Sequence, residues 1–239
     1  MNRPPVPRAQ PHPCSTCTVQ RSFCSLPEDL RAVFDKLKTS AAYAKGEVAF
    51  HESDLCHSVF VLCQGSLKLV TASSEGKVLL LRFAVPGDLL GAAEALRGDV
   101  PYECTAIAAE PSVLAIVPRD TFLRFIGSYA RASLRLVVAL SEQYKALQQE
   151  TKFLAFGETS TARLARLLLD WSARCGNRAV DGARIPSHIT HTELAQSIGA
   201  TRETVTRVLG NLSHRGIVER RPDEIVIHCN NELERLGAY

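Results

Sequence analysis

Three cysteines stand close together near the start of the chain, in the spacing Cys14-x-x-Cys17-x6-Cys24. Thiolates are soft, anionic donors that suit iron–sulfur clusters, and a four-iron cluster normally takes four of them. The same triplet also suits a thiol–disulfide switch or, together with His12, a zinc site. It lies in a Pro-flanked polar segment, so burial as ordinary small residues fits it poorly. Cys63, Cys175 and Cys229 sit amid apolar or helical sequence and read as packing residues. His51 or His57 offers a haem ligand, although a lone histidine is more often structural. A second group lies toward the other end: Thr201, Arg202, Glu203, Thr206 and Arg207. Arg makes paired hydrogen bonds to guanine O6 and N7, and Glu accepts from cytosine N4. Glu203 and Arg207 are one helical turn apart and project together. The plain alternative is a surface ion pair worth about 0.3–0.5 kcal/mol.

The residues around that pair decide between the two. The segment HITHTELAQSIGATRETVTRVLGNLSHRG has the spacing of two short helices joined by a tight turn. Ala195 is small where the helices approach, and Gly199 falls where the chain leaves the first helix and needs a positive φ. Thr201 is a natural N-cap, with Thr204 not completing a capping box. Val205, Val208 and Leu209 form the inward face. This register is that of a helix-turn-helix reading DNA. Next, GIVERRPDEIVIH gives two short strands around Arg221-Pro222-Asp223, a hairpin wing with Arg220 and Arg221 at its tip. From Thr159 to Arg221 there are ten Arg (163, 166, 174, 178, 184, 202, 207, 215, 220, 221) against five acids (170, 181, 193, 203, 219), a net of +5. Such charge supplies phosphate contacts.

The remaining chain positions these groups. Its 239 residues are 46% hydrophobic and 22% charged, which excludes disorder, collagen-like repeats and a coiled-coil rod. The whole-chain balance, 28 basic minus 25 acidic or +3, is too mild to announce nucleic acid by itself. No run of about 18 apolar residues exists to span a membrane. Pro interrupts the opening residues where a signal peptide needs an apolar run, so the chain reads as cytoplasmic. Residues 1–25 are expected to form a flexible arm carrying the cysteine cluster. Leu30, Val33, Phe34 and Leu37 mark a short amphipathic helix. Over residues 26–120, short β-type runs broken by Gly65, Ser74-Glu75-Gly76 and Pro86-Gly87-Asp88 predict an antiparallel β-roll, giving an α+β chain. Residues 121–150 return to helical spacing, with Leu134, Val137, Leu140, Tyr144 and Leu147 forming a stripe that suits dimerisation. Residues 151–239 hold the winged helix-turn-helix, opening with the amphipathic ARLARLLLDWSARCG and a loop through Asp181-Gly182.

A β-roll, a long central helix and a terminal winged helix-turn-helix together resemble the Crp/Fnr family of bacterial transcription regulators, over about Leu26 to Ile227. Its specific parts are PGDLLG (Pro86 to Gly91) and ATRETVTRVL (Ala200 to Leu209). The resemblance implies a homodimer built on the central helix. It also implies an inverted repeat in double-stranded DNA, with half-sites about one helical turn apart, and RNA polymerase as a partner. Arg202, Glu203, Thr206 and Arg207 would read a TGTGA- or TTGA-like half-site. Cyclic-nucleotide binders of the family follow PGD-x-x-G with a Glu for the ribose and later an Arg-Ser for the phosphate. Ala92 and Tyr102-Glu103 stand in those places, so cyclic AMP is not expected.

The triplet resembles that of the Fnr branch, where cysteines hold an oxygen-labile [4Fe–4S] cluster; the spacing here is one residue longer than the commonest form. In that branch the fourth ligand lies three residues before the Pro that closes the last roll strand. Counting back from Pro118 gives Ala115, which cannot ligate. Cys104 is the expected substitute, ahead of Cys56, Cys63 or a carboxylate, so the metal set is Cys14, Cys17, Cys24 and Cys104. The resemblance implies a redox-controlled dimer that oxygen or nitric oxide releases from DNA. A thiol–disulfide switch, zinc, or another effector in the roll remains as an alternative. An enzyme is not expected: no His-x-His pair accompanies His51 and His57, and no Gly-rich phosphate loop or nucleophile elbow is present.

Overall fold

The computed structural model describes residues 8–9, 12–14, 19, 22–75, 78–155, 159–175, 177–179, 182–186, 189–222 and 224–237. Cys17, Asp181 and Asp223 lie outside the described residues. The chain divides into two compact units, residues 1–148 and 149–239.

In the first unit, short runs of branched and aromatic residues form strands. These are β1 (Arg8–Ala9), β2 (Thr39–Tyr43), β3 (Val48–Phe50), β4 (Ser58–Gln64), β5 (Leu67–Ala72), β6 (Val78–Ala84), β7 (Leu89–Leu90), β8 (Thr105–Ala108) and β9 (Ser112–Pro118). They make two antiparallel sheets, in the orders β1-β2-β9-β4-β7 and β3-β8-β5-β6, the expected roll. A half-exposed strand alternates buried and exposed positions. Instead, β4 is buried from Val59 to Cys63 without a break, because helices cover its sheet. Leu30 and Phe34 of α1 (Glu28–Leu37), Phe122 and Phe125 of α3 (Arg119–Ser128) and Leu136 of α4 (Ala130–Ala155) join the same core. Phe23 of the arm locks onto that layer, its ring 5.5 Å from Phe34 and 5.8 Å from Phe122. The pairing of β4 with β9 runs regularly from Ser58↔Pro118 to Leu62↔Leu114 and then shifts, so Cys63 sits in a β-bulge.

The PGDLLG turn is held together by its own acid. Buried Asp88 takes Arg82 at 2.7 Å and the Val85 N–H at 3.2 Å. Gly91 has φ +75°, and a Cβ there would lie 2.9 Å from the Tyr102 ring, so both backbone and space demand glycine. It opens the short helix α2 (Ala92–Arg97). The expected single helix over 121–150 is two helices. At Tyr129 the backbone is extended (φ −127°, ψ 98°), and α4 starts afresh and runs to Ala155. Gly127 and Ser128 are weak helix formers, and the Ser133 hydroxyl takes the Ile126 carbonyl in place of a backbone donor.

The second unit contains α5 (Ser160–Cys175), α6 (His191–Ser197), α7 (Arg202–His214) and α8 (Asn230–Gly237). Its antiparallel sheet has the order β10-β11-β13-β12, from β10 (Asn177–Ala179), β11 (Gly182–Pro186), β12 (Val218–Arg220) and β13 (Glu224–Ile227). The expected loop through Asp181-Gly182 thus joins a hairpin. Gly182 has φ +135° and lies against the Ile227 carbonyl. Leu164, Leu168 and Trp171 of α5 and Val205, Val208, Leu209 and Leu212 of α7 are buried, as their helical spacing demands. Among the described residues, no helix is long and apolar enough to cross a membrane.

Candidate functional site

Thr190 and Glu193 form a complete capping box on α6, a Thr-x-x-Glu pattern visible in the sequence but not singled out there. Gly199 has φ +58°, as the turn requires, and Thr201 caps α7 by accepting the Thr204 N–H at 3.3 Å. Burial of Val205, Val208 and Leu209 turns Arg202, Glu203, Thr206 and Arg207 outward, where all four are exposed. Glu203 and Arg207 do not pair, and neither the Arg202 nor the Arg207 guanidinium has an ion-pair partner among the described residues. The helix therefore presents unspent donors rather than an internal salt bridge. The Glu203 carboxyl is held below its ordinary pKa by the helix-start N–H, Thr201 and Arg202, so it is an acceptor at neutral pH.

His191 was not foreseen. Its Nδ1 lies 2.7 Å from Thr206 Oγ1, whose hydroxyl donates to the Arg202 carbonyl at 2.9 Å. Burial, Arg220 and Arg202 lower its pKa, which keeps the ring neutral at pH 7. In the wing, Arg220 donates to the Ile189 carbonyl at 3.1 Å. Arg221 forks onto Glu219 at 3.0 and 2.9 Å and reaches Glu224 at 3.0 Å. The two arginines expected to touch the DNA backbone thus differ: Arg221 is paired with two carboxylates and clamps the hairpin, while Arg220 has no ion-pair partner among the described residues.

On α4, Ala132, Leu136 and Ala139 are buried in the roll core, whereas Leu134, Val137, Tyr144 and Leu147 are 63%, 60%, 62% and 60% exposed. Leu140 departs from the expected stripe, being partly buried against the roll. Gln143 donates to the Leu89 carbonyl at 3.0 Å and Arg131 pairs with Asp29 of α1, fixing the rotation of the helix. Four large apolar side chains thus share one open face.

Cys14 and Cys24 line a cavity of about 30 Å³ beneath the arm, with His12, Arg31, Lys38, Cys63 and Ala115. The Cys14 N–H donates to Asp35 at 2.9 Å; Lys38, whose side chain is 3% exposed, pairs with Asp35 at 3.1 Å and also holds the His12 carbonyl. Burial pushes the Cys14 thiol up to about 11; Asp35 and Cys63 add to the rise, and Lys38 opposes it. A thiol in that state exchanges disulfides slowly, since the thiolate is the nucleophile. Burial works against the Lys38 ammonium, yet Cys14, Asp35 and Cys63 hold its pKa above the ordinary value. His12 Nε2 and Arg31 Nε are buried with no hydrogen-bond partner among the described residues. Thiols, an imidazole and one cationic donor without a partner, Arg31 Nε, around one void are of the chemistry that suits a metal–thiolate group. The void has room for only a water or two. Among the described residues no three His, Cys, Asp or Glu side chains already stand as ligands of a single ion.

Cys104 is elsewhere in the roll. Burial raises its thiol to about 11, with Glu94, Glu52 and Glu103 adding to the rise against Arg82. Cys104 is not among the residues that line the cavity shared by Cys14 and Cys24. The same acids bear on the roll's effector place. Ala92 is buried, the Tyr102 hydroxyl is bound to the Ser58 carbonyl at 2.7 Å, Glu103 pairs with Arg97, and Arg82 pairs with Asp88. Of the described cations there, Arg97 and Arg82 are thus each already paired with a carboxylate. His51 and His57 line an open groove of about 410 Å³ with Asp54 and Tyr102. Cys56 is buried, its thiol directed at the Gly91 carbonyl at 3.4 Å. Cys229, expected to be buried, is exposed, and the side chain of Cys175 lies outside those described.

Comparison with known proteins agrees with this architecture. The cyclic nucleotide-binding domain family matches residues 41–129, and the Crp-like helix-turn-helix domain family matches residues 162–236. Electron transport regulator A of Shewanella oneidensis is 24% identical over 227 residues, covering 95% of this chain and 90% of that protein. The fumarate and nitrate reduction regulatory protein of Shigella dysenteriae is 22% identical over 229 residues, covering 95% of this chain and 90% of its own. The structure of FixK2 from Bradyrhizobium japonicum superposes with a TM-score of 0.74 at 21% identity, over 84% of this chain and 98% of that one. A roll of this topology, a terminal winged helix-turn-helix and both family matches lead to one conclusion: the chain belongs to the Crp/Fnr family of DNA-binding transcription regulators, not enzymes.

Proposed function

We propose that the protein is a homodimeric regulator that reads an inverted repeat and is controlled by oxygen or redox state through a [4Fe–4S] cluster on its N-terminal cysteines. The convergence of Cys14 and Cys24 on the roll cavity that also contains Ala115 carries the reading, because it brings the arm to the wall where the Fnr branch closes its ligand set. The names of the two relatives, an electron transport regulator and a fumarate and nitrate reduction regulator, point the same way.

Cys14, Cys17 and Cys24 would hold the cluster, which would supply an oxygen-labile cross-link between arm and roll. The chain's own residues relay its state. Asp35 and Lys38 tie the arm to α1, Phe34 packs on Phe125 at 5.5 Å, and Asp29 pairs with Arg131 of α4. The open α4 face of Leu134, Val137, Tyr144 and Leu147 then meets a second copy. Each such side chain contributes about 1.5–3 kcal/mol on burial. In each half-site Arg207 and Arg202 read guanine and Glu203 accepts from cytosine. The Thr206 hydroxyl is occupied within the protein, so its methyl faces the thymine methyl. Thr201 and Arg220 hold phosphates. Ala92 in the ribose-binding place and the pairing of Arg82 with Asp88 and of Arg97 with Glu103 speak against cyclic AMP as the effector. RNA polymerase is the partner at the promoter.

Selection from a random duplex pool with protein kept free of oxygen tests the whole reading. The expected result is an inverted repeat with half-site centres about 10 base pairs apart, bound by a brown protein whose absorbance near about 400 nm fades in air. A single non-repeated site, or a colourless iron-free protein, contradicts it.

A further inference from the structure

Thr206 carries a hydroxyl and a methyl on one carbon of the exposed face of α7, and the rotamer decides which of them meets a base. We propose that His191, on the neighbouring helix α6, is the positioning residue that makes this choice: it pins the Thr206 hydroxyl to the protein so that the methyl reads thymine. This rests on the DNA reading above and deepens it, adding the residue that sets one base of the half-site.

A threonine in a helix divides between two χ1 rotamers, because its hydroxyl can bond a carbonyl of the preceding turn. Thr206 makes that bond, donating to the Arg202 carbonyl at 2.9 Å. On an exposed face one such bond gains little over water. His191 adds a second, its Nδ1 lying 2.7 Å from Thr206 Oγ1. The hydroxyl has a single hydrogen and gives it to Arg202, so the imidazole is the donor. Burial, Arg220 and Arg202 hold the ring neutral at pH 7, so its one proton belongs on Nδ1. Nε2 is buried with no partner among the described residues, and a proton there would be an orphaned donor. The Thr206 hydroxyl thus gives its hydrogen to α7 and accepts one from α6.

The imidazole is itself held in place. His191 is the first residue of α6, directly after the capping-box Thr190. The Thr190 N–H donates to Glu193 at 2.8 Å, and the Glu193 N–H donates to the Thr190 hydroxyl at 3.2 Å. Leu194 and Ala195 of α6 and Val205 and Val208 of α7 are buried, which fixes one helix against the other. The consequence for recognition is chemical. A threonine hydroxyl free to turn hydrogen-bonds to more than one kind of base edge, whereas its methyl makes apolar contact with the thymine methyl. Holding the hydroxyl between two helices converts an indifferent position into one that reads thymine. His191 does so without touching a base.

The full-length chain and the duplex selected as above provide the test. Each thymine of the half-site is replaced in turn, in both halves of the repeat, by deoxyuridine, which removes only the 5-methyl group. Affinities are compared for wild type, His191→Ala, His191→Asn and Thr206→Ser, with circular dichroism to confirm folding. Wild type should lose about fourfold per half-site at one thymine, or about 15-fold over the symmetric duplex. Thr206→Ser should bind both duplexes alike, which assigns that thymine to this side chain. His191→Ala should also bind both alike, and His191→Asn, whose amide nitrogen stands where Nδ1 stood, should restore the difference. Where His191→Ala does not fold, His191→Gln, whose amide lies one bond further out, takes its place. A merely structural histidine would weaken both duplexes equally and leave their ratio unchanged; that result overturns the positioning role while the DNA reading stands. A wild type with no methyl-sensitive thymine, or one whose sensitivity survives Thr206→Ser, overturns the role of the Thr206 methyl and His191 with it. A selection that yields no preferred duplex overturns the DNA reading beneath both.

Discussion

The side chains assigned to DNA, apart from their phosphate contacts, sit on the first turns of one helix, α7, whereas the arm cavity draws Cys14 and Cys24 from the N-terminal segment, Lys38 from the end of α1, Cys63 from β4 and Ala115 from β9. Helical periodicity alone brings Arg202, Glu203, Thr206 and Arg207 to one face, and the cap and turn that orient them are a few residues away. The cavity exists only once two sheet strands have paired in register and the arm has folded over them. One region is therefore local, rigid and ready before any ligand arrives. The other is assembled from distant parts of the chain around a small void. The proposed sensor and the DNA reader are thus built in different ways.

That contrast can be broken in several places. The largest effect is expected at the α4 face: Val137→Glu with Tyr144→Glu puts like charges into an apolar seam, a cost of several kcal/mol. Sedimentation should show dimer association weakened by about 100-fold or more, with each chain still folded. Next, Arg207→Ala removes a two-bond guanine contact worth about 1–3 kcal/mol. Operator affinity should fall by about 10- to 100-fold per half-site and discrimination relax at one base pair. By contrast, Arg220→Ala should weaken all sequences alike and shallow the salt dependence. Fluorescence anisotropy at several salt concentrations separates them.

Gly199→Ala is expected to cost about 1–2 kcal/mol, because its φ of +58° is left-handed. Calorimetry should show unit 149–239 melting earlier while iron content is untouched, and equal melting would mean that the turn tolerates a side chain. The smallest effect concerns pH. Burial raises Cys14 and Cys104 from the usual 9.0 to about 11 in the fold. Their contribution to stability is thus complete below about pH 9 and lost as pH rises toward 11. Metal-free protein should lose thermal stability across that window, and Cys14→Ala/Cys104→Ala should lose less.

The same contrast governs what could be read from residues alone. The helix-turn-helix, the positive φ at Gly199, the Thr201 cap and the wing were all legible, since each depends on neighbours within a few positions. So was the roll, from its Gly-punctuated strands. The break at Tyr129 was not, because α3 and α4 carry the same apolar spacing and the Ser133 hydroxyl that competes for the Ile126 carbonyl leaves no periodic mark. The β10–β11 hairpin was hidden in a polar stretch without alternation. Arg221 looked available until Glu219 and Glu224 closed around it. Cys63 was read as packing and is buried in the roll core, whereas its place on the wall shared with Val61 and Ala115 depends on how β4 and β9 pair across some fifty residues. That register is a property of the sheet and has no local signature.

In the proposed control, the arm cysteines set DNA affinity through their cluster. One titration tests it most directly: a labelled selected operator against a single oxygen-free preparation, repeated after that sample has bleached in air. The expected result is affinity lower by about tenfold or more after air, in step with loss of the visible band and with dimer dissociation. Equal affinity before and after, or tight binding by protein that never held iron, would contradict the claim and leave a DNA-binding regulator whose cysteines serve something other than its control.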